Sequence, residues 1–175
     1  LLDSPFKNAM DRNAAWMLEM DMDRLLSNFL KNAGLEPKGE SYGSWESMGI
    51  AGHTLGHYLS AVSALVERYE DAGLARNLEK VVEGMYACQQ AHGNGYLSAF
   101  PETDIEVLGT RFTGVWAPYY TLHKIMQGLL DVYLRTGNGI RHGGGLGRLC
   151  GQAHVETGSG DCRTHDVHGR CQSPE

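Results

Sequence analysis

"GHTLGHYLSAVSALVERYEDAG", Gly52 to Gly73, decides how the chain is read. It reads as one long helix from about Gly52 to Asp71, with Gly73 as its stop. His53 and His57 are four residues apart and so share a helical face. Gly52 and Gly56 suit close helix packing or a close backbone approach. Two histidines on one face admit three roles: metal ligands, the polar edge of a binding site, or hydrogen-bonded core residues. The zinc-protease pattern H-E-x-x-H needs a carboxylate between them as base. Thr54, Leu55 and Gly56 occupy the interval and supply none.

Working outward, the first 138 residues read as helices joined by loops rich in Gly and Pro. Ser4-Pro5 is an N-cap and first-turn pair. Phe6, Met10, Ala14, Met17 and Leu18 follow near helical spacing. A second helix is expected over Asp23–Asn32, with Leu25, Leu26, Phe29 and Leu30 inward and Gly34 as stop. The loop "GLEPKGESYGSWES" (34–47) leads to the His53 helix. A further helix is expected over Leu74–His92. "GYLSAFP" (95–101) is a short extended piece at most. Glu102 to Trp116 reads as a long loop carrying Gly109 and Gly114. A last helix runs from about Pro118 to "TGN" at 136–138. Leu65, Val66, Tyr69 and Gly73 recur as Leu129, Leu130, Tyr133 and Gly137, each 64 residues on, as helix-hairpin arrays do. The fold class is all-α.

Hydrophobic residues make up 42% of the chain and charged residues 21%, the composition of an ordinary globular domain. A formal charge of −6 argues against a nucleic-acid or anionic-membrane surface, which needs clustered Lys and Arg. No apolar run has the roughly 18–20 residues of a membrane span, and no signal peptide is visible. The chain starts without Met at "LLDSPFKNAM" and is read as part of a longer protein.

From Gly139 the character changes. Residues 139–175 hold nine glycines, four histidines and three cysteines, but no aromatic residue, no Lys and only five large aliphatics. Such a segment cannot bury a core face. Cys162, His165, His168 and Cys171 are zinc-ligand types at three-residue intervals. Zinc sites, however, usually bring two ligand pairs together across a longer loop. The tail is read as frameshifted or non-native: with permissible synonymous codons, a one-nucleotide shift after Asn138 turns it into an amphipathic helix. A disordered native tail is the remaining alternative.

Five stretches carry a family resemblance: "LLDSPFKNAMDRNAAWML", "DRLLSNFLKNAGL", "YGSWESMGIAGHTLGHYLSA", "ACQQAHGNGYLSAFPE" and "VWAPYYTLHKIMQGLLDVYLRTGN". They lie in order over residues 1–138. They resemble the N-terminal part of the β-L-arabinofuranosidase-type glycoside hydrolases. The resemblance implies a partial (α/α)6 barrel of helix hairpins, with the active site at one end. It implies a carbohydrate substrate carrying terminal β-L-arabinofuranosyl groups, as in plant-type glycans, and hydrolysis with retention. In that family a cysteine thiolate is the nucleophile, zinc on cysteines and a glutamate holds it, and a second glutamate is the acid/base. No stretch here matches those residues. Cys88, in "YACQQAH", is not in the nucleophile's motif. No catalytic residue, metal ligand or cofactor is therefore assigned within this chain, which is expected to be inactive; zinc is implied only for the intact family member.

The substrate-binding candidates are His123, His53, His57, Trp45, Glu46 and Trp116. The resemblance implies that His123, in "YTLHK", faces the terminal sugar, where an imidazole can donate to or accept from a hydroxyl. The aromatic rings of Trp45 and Trp116, and of Tyr119 and Tyr120 beside the latter, suit the apolar faces of a sugar and equally a plain core. Glu46 can accept from sugar hydroxyls or favour a helix N-terminus. Glu102 and Asp104 are a carboxylate pair of the kind glycosidases use, but their closeness in sequence reads as a solvated loop. Met10 stands where many relatives carry Gln, which puts a sugar contact from the first helix in doubt. The rival reading is a non-catalytic helical-hairpin binding module with a concave surface.

Overall fold

A computed structural model describes residues 2–111 and 116–136. These form six helices: α1 (Pro5–Glu19), α2 (Met22–Asn32), α3 (His53–Tyr69), α4 (Ala72–His92), α5 (Glu102–Arg111) and α6 (Pro118–Thr136), with a 3-10 turn at Ser44–Ser47 between α2 and α3. The described residues contain no strand, and Gly95–Pro101 is irregular rather than extended pairing. The chain is all-α, in keeping with a partial α/α barrel. The tail from Gly139, with the zinc alternative at Cys162, His165, His168 and Cys171, lies outside the described residues. No helix among the described residues is long and apolar enough to cross a membrane.

The caps explain the boundaries. Ser4 Oγ accepts from the Lys7 N–H, and Pro5 opens α1 where a missing N–H costs nothing. Asp21 caps α2, and Gly34 follows it at φ 71. One boundary differs from the sequence expectation. Gly73 does not stop α3 but lies in the first turn of α4, because Asp71 Oδ1 accepts from the Gly73 and Leu74 N–H groups. α3 ends earlier, at Glu70 with φ 51. A second difference is α5, which occupies most of the expected Glu102–Trp116 loop. Glu102 and Asp104 place negative charge in its first turn, against the positive end of the helix dipole, so the pair reads better as a helix start than as a catalytic dyad.

The core is drawn mainly from α2, α3 and α4, with Ile125 and Val132 added from α6. Phe29, Leu55, Leu59, Val62, Val81, Met85 and Cys88 are all fully buried there. Fully burying a Phe or Leu contributes roughly 1.5–3 kcal/mol, so these few side chains outweigh the surface ion pairs. α1 contributes one buried residue, Met17. Phe6, which the helical spacing placed among the apolar residues of α1, is 80% exposed, whereas Leu18 is 40% exposed and lies against Gly73 of α4.

α6 packs on α3, the helix that precedes it by 64 residues in the repeat. The crossing depends on two glycines. A Cβ on Gly56 would collide with the Lys124 backbone, and one on Gly128 would stand 2.5 Å from the Gly56 carbonyl oxygen. The expected close packing at Gly56 is therefore present, and it lets two helix backbones touch. It also sets the start of α6 beside the start of α3, where the candidate site residues lie.

Candidate functional site

The site begins with a helix that lacks its own cap. Gly52 precedes α3 at φ 95, a left-handed conformation, and has no side chain to bond the first N–H groups. Glu46 supplies that function from the 3-10 turn. Its Oε2 accepts from the Gly52 N–H at 2.7 Å and its Oε1 from the Thr54 N–H at 3.2 Å. The carboxylate is buried at 7% exposure, where the helix dipole and two N–H bonds stabilise its charge. The helix-start role considered for Glu46 is the one its geometry fulfils. The turn that carries it is held from α2 as well, since Asn28 Nδ2 donates to the Glu46 carbonyl at 2.7 Å.

His53 stands next in line. Its Nδ1 lies 2.7 Å from the Ile50 carbonyl oxygen and 3.3 Å from Glu46 Oε1. The ring is surrounded by Trp45, His57 and Tyr120, at centroid distances of 6.2, 6.0 and 6.1 Å. One turn on, His57 Nε2 meets the Tyr120 hydroxyl of α6 at 3.0 Å. Burial, then the nearby Lys124 ammonium and His53, hold the His57 imidazole below its ordinary pKa and so keep it neutral. Trp45 packs on Trp116 at 5.5 Å between centroids and 32° between planes.

These groups border two adjoining cavities. The larger, of about 640 Å³, is lined by Trp45, Glu46, His53, His57 and Tyr120, and on its far side by Trp16, Glu19 and Tyr42. The smaller, of about 260 Å³, lies between Trp45, Ile50, His53, Trp116 and Tyr120. Aromatic walls with a few convergent polar groups are what a sugar or another small polar ligand needs. Of the six candidates, His53, His57, Trp45 and Glu46 therefore share one cavity and Trp116 the next. His123 lies one turn beyond Tyr120 on α6, exposed, and lines neither. Glu102 and Asp104 also line neither cavity; Glu102 instead accepts from Asn94 Nδ2 at 3.0 Å.

Sequence reasoning missed Trp16, Glu19 and Tyr42. Trp16 falls outside the apolar stripe of α1, and an off-stripe aromatic was the available signal. Tyr42 carried none: the Arg24 guanidinium covers its ring at 4.0 Å, and its hydroxyl accepts from the Asp21 N–H at 3.0 Å.

The described residues do not fit a zinc ion. His53 Nδ1 is engaged by the Ile50 carbonyl and His57 Nε2 by Tyr120, their rings stand edge to face at 87°, and no group of three or more His, Cys, Asp or Glu side chains among the described residues gathers into a ligand set.

A family model described as "Beta-L-arabinofuranosidase, GH127 catalytic domain" matches residues 1–140. No curated protein matches the chain.

Proposed function

The chain belongs to the GH127 β-L-arabinofuranosidase catalytic-domain family of glycoside hydrolases, which act on carbohydrate, and on that basis we propose that it is the N-terminal part of a retaining enzyme acting on terminal β-L-arabinofuranosyl groups of plant-type glycans. The observation that carries the reading is the gathering of Trp45, His53, His57 and Tyr120 around one cavity, from two loop-to-helix junctions. In this reading Trp45 and Tyr120 wall the apolar faces of the sugar. His53 and His57 exchange hydrogen bonds with its hydroxyls, and His123, outside both cavities, meets only a part of the sugar that extends beyond them along α6. The exposed apolar residues of α1 and α6, among them Phe6, Met126 and Leu134, support a chain whose outer helices pack against further helices in the whole enzyme.

The 175-residue chain itself binds sugar in this proposal but does not cleave it. A thiolate nucleophile must be reachable and deprotonated. Cys88 is fully buried in the core, and burial pushes its thiol up to about 11. It is therefore a packed core thiol at neutral pH. The residues of the family's acid/base and zinc site have no counterpart in the stretches that carry the resemblance, so no catalytic step is assigned to this chain.

The test is an assay of the purified chain with an aryl β-L-arabinofuranoside. We expect no release of the aryl alcohol. Turnover that survives Cys88→Ser would sink the proposed inactivity and require a nucleophile elsewhere. Turnover that Cys88→Ser abolishes would reverse the reading of Cys88.

A further inference from the structure

The surroundings of one ring nitrogen fix what His53 can offer a ligand. A backbone carbonyl has lone pairs and no proton, so it only accepts. With Nδ1 at 2.7 Å from the Ile50 carbonyl, the proton of that contact must sit on Nδ1. The second neighbour of Nδ1 enforces the same assignment. Glu46 Oε1 is 3.3 Å away and is itself an acceptor, since it takes the Thr54 N–H while its partner oxygen takes the Gly52 N–H. Two acceptors against one nitrogen leave a neutral imidazole a single tautomer. The opposite nitrogen, Nε2, has no hydrogen bond among the described residues, and the ring lines both cavities.

We infer that His53 is locked as the Nδ1–H tautomer by the Ile50 carbonyl and the Glu46 carboxylate, so that its Nε2 lone pair is the hydrogen-bond acceptor of the cavity and selects a ligand that donates a hydroxyl there. The inference rests on the sugar-pocket reading for the identity of the ligand, but not for the tautomer. Glu46 is then a positioning residue: its two oxygens hold the start of α3 and one edge of the ring. The division of labour with His57 is also defined. His57 meets the Tyr120 hydroxyl through its Nε2, so His53 is the histidine of this pair whose Nε2 is free for a ligand.

The experiment uses the full chain, labelled with ¹⁵N at histidine, at mildly alkaline pH. Two-bond proton–nitrogen correlations of the rings report which nitrogen carries the proton. The His53 signals are identified by their loss in His53→Asn. The expected result is a protonated Nδ1 and an unprotonated Nε2 for His53. Adding L-arabinose should move the Nε2 resonance upfield as it accepts a hydroxyl proton. His53→Asn adds a binding test, because the Asn amide nitrogen replaces the Nδ1 donor and leaves no acceptor at the Nε2 position. It should keep the helical circular dichroism and lower L-arabinose affinity about tenfold. An Nε2–H pattern in the free chain overturns the inference, whatever L-arabinose does. So does unchanged affinity in His53→Asn. A correct tautomer with no histidine signal moved by L-arabinose supports the lock but overturns the sugar-pocket reading, and the acceptor role falls with it.

Discussion

Gly56 and Gly128 meet backbone to backbone: a Cβ on Gly128 would stand 2.5 Å from the Gly56 carbonyl oxygen. The contact fixes how closely α3 and α6 approach, and through it whether His57 reaches Tyr120. Gly128→Ala should therefore destabilise the chain by about 3 kcal/mol, the upper part of the overpacking range, because backbone cannot yield as a side chain can. Gly84→Ala is the control. The three atoms nearest a Cβ there all belong to the Leu26 side chain, whose methyl ends can shift, and the helix propensity gained offsets the adjustment. It should change stability by less than about 1 kcal/mol. Urea unfolding midpoints of the two variants check the contrast, and equal losses would refute the backbone argument.

Glu46 caps α3 from outside the helix. Glu46→Ala leaves the buried Gly52 N–H without a partner and should cost about 2 kcal/mol, as the loss of a cap with a buried donor does. Glu46→Gln keeps one acceptor oxygen and should cost about half as much. Thermal unfolding followed by circular dichroism measures both. A neutral Glu46→Ala would show that the cap is dispensable.

His57 gives stability a pH dependence. Its folded pKa lies below the ordinary value of 6.5, first through burial and then through Lys124 and His53. The unfolded chain therefore takes up a proton that the folded chain resists. Stability should be constant above that value and fall as the pH drops below it toward the folded pKa. His57→Gln removes this contribution, so the difference in urea midpoint between about pH 7.5 and about pH 5.5 should shrink. An unchanged or larger difference in the variant contradicts the assignment.

Cys88 should be silent in the folded chain. It is fully buried, and its thiol is pushed up to about 11. With Cys150, Cys162 and Cys171 replaced by Ser, a thiol reagent should label the native protein only as fast as the core opens, and promptly in denaturant. Rapid native labelling would mean that the α2–α4 core is not closed.

What the sequence made legible was local. Ser4-Pro5, Gly34 and the apolar periodicity of residues 53–69 carry their information within a few neighbours, and the helices stand where those signals put them. The 64-residue echo was legible as well, and its two helices are packed partners. The Glu102–Arg111 helix was hidden because its apolar period is weak and Gly109 within it reads as a breaker. Phe6 looked like core because periodicity identifies a face but not whether anything covers it. At the site, His53, His57, Trp45 and Glu46 are close in sequence and so were found together. Trp16 and Tyr42 join them only through tertiary packing. Glu46's two bonds to N–H groups of α3 are a matter of backbone direction, which residue spacing does not encode.

The turn at Ser44–Ser47 is tied on two sides, by Asn28 of α2 to its carbonyl and by the Glu46 side chain to α3. Both ties are made by Glu46, the residue next to Trp45. The Trp45 indole packs on the Trp116 ring at 5.5 Å between centroids, so less motion remains to be frozen when a ligand of the proposed kind binds. A ligand meeting a wall of this kind needs no loop closure, so its association should be fast and its affinity set by how quickly it leaves.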